Sequence, residues 1–303
     1  MSKKINNNKI NNINNLSVSK INSYFGNWFQ DESYIENKKN EFVNNKPFSH
    51  CIIENFLSND YCEALEKEFP TNIETKNTWY KYFNPLEIKY ARDDIQNFNE
   101  TLEKYFYLLS SNIFLEKIKK ITNIKDLEID DYLHGAGIHL HPKRGRLQMH
   151  LDYEKHPYSG KQRRINIIFF LNRDWNPEWN GQTELWDKEM KKCVKKVDIV
   201  FNRALIFKTN EISYHGLPEP INSPLNVYRK TIAYYYVSKL NNLSNIKKLG
   251  SNDEGYRTKA TYVPRPCDTI TSGLQMIYDI RPFRRITSKD LLKYIPEWDY
   301  QKN

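Results

Sequence analysis

The 303-residue chain lacks any window approaching the roughly 18–20 consecutive apolar residues of a membrane span. Its first twenty residues, "MSKKINNNKINNINNLSVSK", lack the apolar centre of a signal peptide. Cysteine is sparse. Cys51, Cys62, Cys193 and Cys267 form no C-x-x-C pair, so they read as reduced thiols or small buried hydrophobes rather than a disulfide framework. These absences predict a cytoplasmic protein without a membrane segment. Positive charge is in excess, 46 Lys+Arg against 37 Asp+Glu, but it is diffuse. The densest knots are "KQRR" (161–164), "KKCVKK" (191–196) and "RPFRR" (281–285), and none is a long basic stripe interleaved with aromatics. Nucleic acid is therefore not the expected partner. A modest positive potential still favours anionic small molecules. No internal repeat is visible, and composition leaves the oligomeric state open.

Residues 1–20 are an Asn/Lys/Ile low-complexity stretch with little apolar surface to bury, and a flexible tail is predicted over 1–40. A short strand is expected in "KPFSHCIIENFLS" (46–58). A helix follows in "SNDYCEALEKEFP", with a capping residue at Ser58 or Asn59, apolar Tyr61, Leu65 and Phe69, and a stop at Pro70. Residues 94–122 show helical spacing in two segments, broken near Ser110–Asn112. From about residue 130 the texture changes to short strands between turn residues, at 135–141, 147–152, 164–172, 183–187, 204–208 and 229–239. This predicts a mainly β domain with flanking helices (α+β), a jelly-roll barrel over 41–240 whose mouth can hold a ligand. Residues 241–303 are expected to form an extension packed on the barrel.

The main chemistry-bearing residues sit on two of these strands and downstream of a third. In "LQMHLDYEKHP" His150 and Asp152 are two apart, so a strand presents both on one face. An imidazole beside a carboxylate suits a divalent transition metal, and one more histidine would complete a facial triad for Fe(II). A strand end with a surface acid and an ordinary histidine is the plain alternative. His215 follows the apolar strand "RALIFK" and precedes a Gly-Leu-Pro turn, which suits a third ligand at a barrel mouth or a simple loop histidine. His139 and His156 are the next candidates. Arg229 opens the apolar strand "YRKTIAYYYVSK", with Thr231 on the same face. A guanidinium fork donates two parallel hydrogen bonds to a carboxylate. A surface arginine at a strand start is the competing reading.

In order and spacing these residues resemble the Fe(II)- and 2-oxoglutarate-dependent dioxygenases, in particular the prolyl 4-hydroxylase-like branch. The family order of an H-x-D, a distal His and then a basic residue on the next strand reads here as His150-Leu151-Asp152, His215 and Arg229. "HPKRGRLQMHLD", "RRINIIFFLNRDWNPEWNGQTELWD" and "KPFSHCIIENFLSNDYCEALEKEFP" are similar to the family's turn, central strands and entry segment. The resemblance implies a double-stranded β-helix, cupin-like. It implies Fe(II) held by His150, Asp152 and His215, and 2-oxoglutarate held by Arg229 and Thr231. O2 and ascorbate complete its cofactors. His141 stands where the family often carries a tyrosine touching 2-oxoglutarate. A second family tyrosine falls at Phe170, which cannot donate, and a single Gly181 replaces a usual Gly-Gly pair. The implied reaction couples oxidative decarboxylation of 2-oxoglutarate to hydroxylation of an unactivated C–H bond. Related halogenases have a small residue at the position of Asp152, so the acid implies hydroxylation. A prolyl residue of a peptide or protein is the substrate implied by the branch. A free amino acid, a sugar or another small molecule is the alternative, and a non-catalytic jelly-roll binding module is a third reading. Trp175, Trp179 and Trp186 are expected either to line a substrate groove or to be structural.

Overall fold

The first helices of the computed structural model form where polar caps precede spaced isoleucines. The model describes residues 4–74, 78–240, 249–252 and 255–299. Helix α1 (Asn7–Asn14) is capped by Asn6, α2 (Val18–Asn22) by Ser17 and α3 (Glu32–Asn44) by Asp31, each side chain accepting a backbone N–H of the first turn. The expectation of a flexible tail over 1–40 is corrected here. Ile5, Ile10, Ile21, Phe25, Trp28 and Phe29 are buried in the main core. Asparagine and lysine dilute the mean hydropathy of the segment, but its few apolar side chains converge on one surface. Phe25 and Phe29 stack with ring centroids 4.3 Å apart, and Trp28 donates from its indole nitrogen to the Phe56 carbonyl at 2.8 Å. Residues 1–3, 241–248, 253–254 and 300–303 of the two expected terminal segments lie outside the described residues.

The next elements are β1 (His50–Ile53), α4 (Asn59–Glu68), the hairpin β2 (Tyr80–Asn84) and β3 (Glu87–Arg92), then α5 (Glu100–Leu109) and α6 (Asn112–Thr122). The two-segment helix breaks at Ser110 and Ser111 as its polar residues predict. Ser111 caps α6, and Ser110 hydrogen-bonds the Phe106 carbonyl and the Tyr234 hydroxyl. The barrel strands follow as β4 (Glu128–Ile129), β5 (Gly137–His141), β6 (Arg146–Leu151), β7 (Gln162–Phe170), β8 (Thr183–Trp186), β9 (Cys193–Val197), β10 (Arg203–Lys208), β11 (His215–Leu217) and β12 (Arg229–Ser238). The chain closes with β13 (Thr261–Tyr262), α7 (Ser272–Ile280) and α8 (Ser288–Tyr294).

All strand pairs are antiparallel, in the order β1-β10-β7-β12-β5-β3-β6-β11-β8-β9. The ladder is rolled up. β6 and β7 are four places apart in it, yet Asn166 on β7 reaches Asp152 just past β6 at 3.4 Å. Arg229 on β12 likewise touches Thr183 on β8 at 3.0 Å. The outer face of the β1-β10-β7-β12-β5 half is covered by the helices. Tyr105, Phe106, Phe114, Phe169, Tyr234 and Tyr236 share one cluster there. The inner face encloses the cavity described below. The C-terminal segment adds β13 beside β6, and Ile277, Tyr278 and Ile286 pack with Tyr262.

All four cysteines are free, and Cys51 and Cys62 are buried with burial driving both thiols far toward the neutral form. A reductant should therefore leave the melting temperature unchanged, and all four thiols should alkylate after denaturation. A native mass two units below the reduced one would contradict this.

Candidate active site

The sequence of β6 dictates the first half of the site. Alternation points Met149 and Leu151 into a small apolar cluster with Trp186, Met190 and Tyr214, so His150 and Asp152 face the barrel interior. The second half comes from pairing. β11 lies beside β6, with His215 directly opposite His150. The imidazole centroids are 4.3 Å apart. Asp152 completes the group, its carboxylate oxygens 3.9 Å from His150 Nε2 and 3.8 Å from His215 Nε2. All three side chains are buried, and their donor atoms lie within 4.8 Å of one another.

The ring orientations are fixed from behind. Nδ1 of His150 faces the Gln148 carbonyl at 2.9 Å, and Nδ1 of His215 faces the Ser213 carbonyl at 2.8 Å. A carbonyl can only accept, so each Nδ1 carries a proton and each Nε2 is left turned toward Asp152. Burial and the neighbouring His215 push the His150 imidazole down to about 3, which keeps it neutral. Burial alone would raise the Asp152 carboxyl, but His215, Arg163 and His150 outweigh it and hold the group ionised. Two Nε2 atoms and one carboxylate form a donor set that fits a divalent transition metal. His139 and His156, the other ligand candidates, are elsewhere. His139 sits on β5 opposite Thr231, and His156 faces Asp130 at 3.2 Å.

Arg229 lies deeper in the same cavity and is buried to 2 % exposure. Its guanidinium donates to the Gly181 carbonyl at 2.8 Å, to Thr183 Oγ1 at 3.0 Å and to Thr231 Oγ1 at 3.4 Å. Among the described residues no carboxylate pairs with it, and burial pulls it down to about 9, still cationic at neutral pH. A buried cation with only neutral partners is suited to an anionic ligand. Gly181 allows the approach. Its φ is +90°, and an added Cβ would stand 3.4 Å from Arg229 Cδ. His141 pairs in register with Arg229, and neither of its ring nitrogens has a partner, as suits a group that meets a ligand. Phe170 lies under the guanidinium, 5.3 Å from ring centre to Cζ.

Several residues that position the site carry no readable signal in the sequence. Arg163 on β7 is fully buried between the rings of Tyr153 and Tyr235, its Cζ 3.5 and 3.3 Å from their centroids. Its Nη1 lies 3.5 Å from Asp152, and its Nη2 donates to the His134 carbonyl at 2.8 Å. A basic residue in "KQRR" reads as surface charge; only the fold brings it inside. Arg163→Met should weaken Fe(II) binding by about 10–100-fold, the usual effect of losing a partner behind a metal ligand. Calorimetric Fe(II) titration under nitrogen measures this, and unchanged affinity would remove Arg163 from the site. The C-terminal segment also reaches the centre. Tyr262 pairs with His150, and Arg257 donates to the Asp152 carbonyl at 3.1 Å. Thr183, which meets Arg229, is a fourth residue that sequence reasoning missed.

The tryptophan expectation resolves to the structural alternative. Trp175 packs edge-on against Trp179 in an apolar cluster, and Trp186 bonds Glu184, all outside the cavity. The cavity holds about 500 Å³, with the triad and Arg229 in its wall.

Comparison with known proteins places this geometry. The description "2OG-Fe(II) oxygenase superfamily" matches residues 136–237, which contain the triad and Arg229. No curated protein matches the chain. Among solved structures, a prolyl hydroxylase of Trichoplax adhaerens in complex with a hypoxia inducible factor peptide is 18% identical with a TM-score of 0.51. The match covers 72% of this chain and 96% of that one. A prolyl-4-hydroxylase of Pseudomonas putida is 16% identical with a TM-score of 0.48, covering 68% and 99%. The Trichoplax likeness bears out the double-stranded β-helix with flanking helices. The match to the 2OG-Fe(II) oxygenase superfamily, whose cofactors are Fe(II), 2-oxoglutarate and O2, thus falls on the strands that carry His150, Asp152, His215 and Arg229, in a chain that is prolyl hydroxylase-like in fold.

Proposed function

We propose that this enzyme hydroxylates an unactivated C–H bond of a peptide or protein, as a prolyl 4-hydroxylase does. In this reading His150, Asp152 and His215 hold Fe(II), and Arg229, Thr231 and His141 hold 2-oxoglutarate. The observation that supports it best is the pairing, in one cavity, of a buried His-Asp-His group with a buried arginine that has no carboxylate partner among the described residues. Bound together, Fe(II), 2-oxoglutarate and O2 supply the oxidising power, with succinate and CO2 as the other products.

The chain's own residues bind, orient and exclude water. The two Nε2 atoms and the Asp152 carboxylate would hold Fe(II), which when bound would take up 2-oxoglutarate and O2. Arg229 presents its fork to the distal carboxylate. Thr231, whose oxygen accepts from Arg229, keeps its own hydroxyl proton to donate to the same carboxylate. His141 adds a donor from the neighbouring strand. Leu217 and Ile168 form apolar wall between these polar groups and limit water.

Succinate release tests the reading. The full chain with Fe(II) and 2-oxoglutarate should release succinate above its background rate when proline-containing peptides are added, and the peptide should gain one oxygen. Stimulation by free amino acids or sugars, with none by peptides, would favour the small-molecule reading.

A further inference from the structure

We infer that the substrate is an acidic peptide segment, drawn in by a cationic entrance outside the metal and cosubstrate positions. This rests on the peptide hydroxylase reading above.

The entrance can be followed outward from the metal ligands. Tyr262 stands next to His150, with ring centroids 5.4 Å apart. Arg281 lies over the Tyr262 ring, 5.4 Å from its centroid, and meets Glu87 at 3.4 Å. Lys89, two residues along β3, meets the same carboxylate at 3.4 Å. Farther out, the exposed Arg285 lies 5.6 Å from the centroid of Tyr82, and Lys259 enters from the segment before β13. Glu87 is thus one carboxylate shared by two cations. Arg285 and Lys259 form no ion pair among the described residues. Four cations against one carboxylate leave this wall with a surplus of three positive charges. On the opposite rim stand Asp93 and Arg92. Arg92 is paired with Asp94 and adds no net charge, while Asp93, raised to about 6 by burial and Asp94, is still largely ionised at neutral pH and offsets one of the three surplus charges, leaving two.

A concave wall of one sign concentrates its field and selects anionic ligands. The shape selects an extended one. A second hollow of about 430 Å³ continues past the entrance and shares Tyr82, Glu87 and Arg285 with the main cavity. A compact metabolite at the metal would leave that hollow empty, whereas a peptide chain runs through both. Tyr80, Tyr82 and Tyr158 supply flat apolar surface along the way.

The test uses three fluorescein-labelled peptides of equal length with a central proline and flanks of Glu and Asp, of Gln, or of Lys. Binding is read by anisotropy under nitrogen to the full chain with Fe(II) and 2-oxoglutarate. The acidic peptide should bind about tenfold or more tighter than the Gln peptide, and its advantage should shrink as salt rises. The double variant R285E/K259E should lose that preference while keeping the wild-type affinity for 2-oxoglutarate. Equal binding of the three peptides, tighter binding of the Lys peptide, binding of none, or tighter binding of a short oligo-dT would each overturn the proposal. Succinate release separates it from the reading beneath it. Charge-selective binding without peptide-stimulated turnover sinks the hydroxylase reading and leaves the acidic-peptide site. Equal turnover of all three sinks only the acidic preference.

Discussion

Replacing His150 or His215 with Ala is expected to abolish tight Fe(II) binding and all peptide-stimulated succinate release while the chain stays folded. In the proposed site each imidazole would offer one Nε2 donor to the metal, and among the described residues its one hydrogen bond is from Nδ1 to a carbonyl two residues back. Losing such a bond costs about 1 kcal/mol, which a chain of this size tolerates. The loss of Fe(II) affinity should exceed the about 10–100-fold expected for Arg163→Met, because a ligand is removed rather than its support. Asp152→Ala should behave differently. Asp152 is also the carboxylate beside the buried Arg163, 3.5 Å away, and takes a hydrogen bond from Asn166. Removing one member of a buried ion pair leaves an uncompensated charge and costs about 3–5 kcal/mol. The sequence alone suggests that all three ligands are dispensable to the fold; the packing of Arg163 makes Asp152 the exception. Asp152→Asn keeps the shape and the Asn166 contact but also loses the charge, so its difference from Asp152→Ala separates lost packing from lost charge. Denaturant melts and Fe(II) titrations of the four variants measure this. Full iron affinity in His215→Ala would falsify the ligand assignment.

Arg229→Ala is expected to leave Fe(II) affinity intact and raise the 2-oxoglutarate requirement by about ten- to a hundredfold, since a charge-assisted pair is worth roughly 1.5–3 kcal/mol. Arg229→Lys should recover part of this, because an ammonium cannot make the parallel fork. Thr231→Val and His141→Ala should shift the requirement in the same direction by less, each removing one donor. Lys230 is the control. It points to the opposite face of β12, where its ammonium lies 3.4 Å from Glu66, so Lys230→Ala should not change the requirement. Isothermal titration with 2-oxoglutarate on the Fe(II)-loaded chain gives the numbers. Equal sensitivity at 229 and 230, or none at either, would mean that β12 does not hold the cosubstrate.

The sequence by itself determined what repeats within a strand or helix. Period-two alternation places His150 with Asp152 and Arg229 with Thr231 because neighbouring side chains on a strand must take opposite faces. Caps and stops are equally local, so the helix break at Ser110 and Ser111 and the six main barrel strands were legible. The tertiary structure decided what meets across the chain. That His215 stands opposite His150 is a matter of strand order and register, which no short-range pattern encodes. The same holds for Arg163, which a basic knot hides among surface charges until β7 carries it between Tyr153 and Tyr235. It holds for Thr183 behind Arg229 and for Tyr262 beside His150. The N-terminal helices show the converse. Their polar composition reads as a tail because hydropathy is averaged along the chain, whereas burial depends on where a few isoleucines and aromatics land once the core exists to receive them.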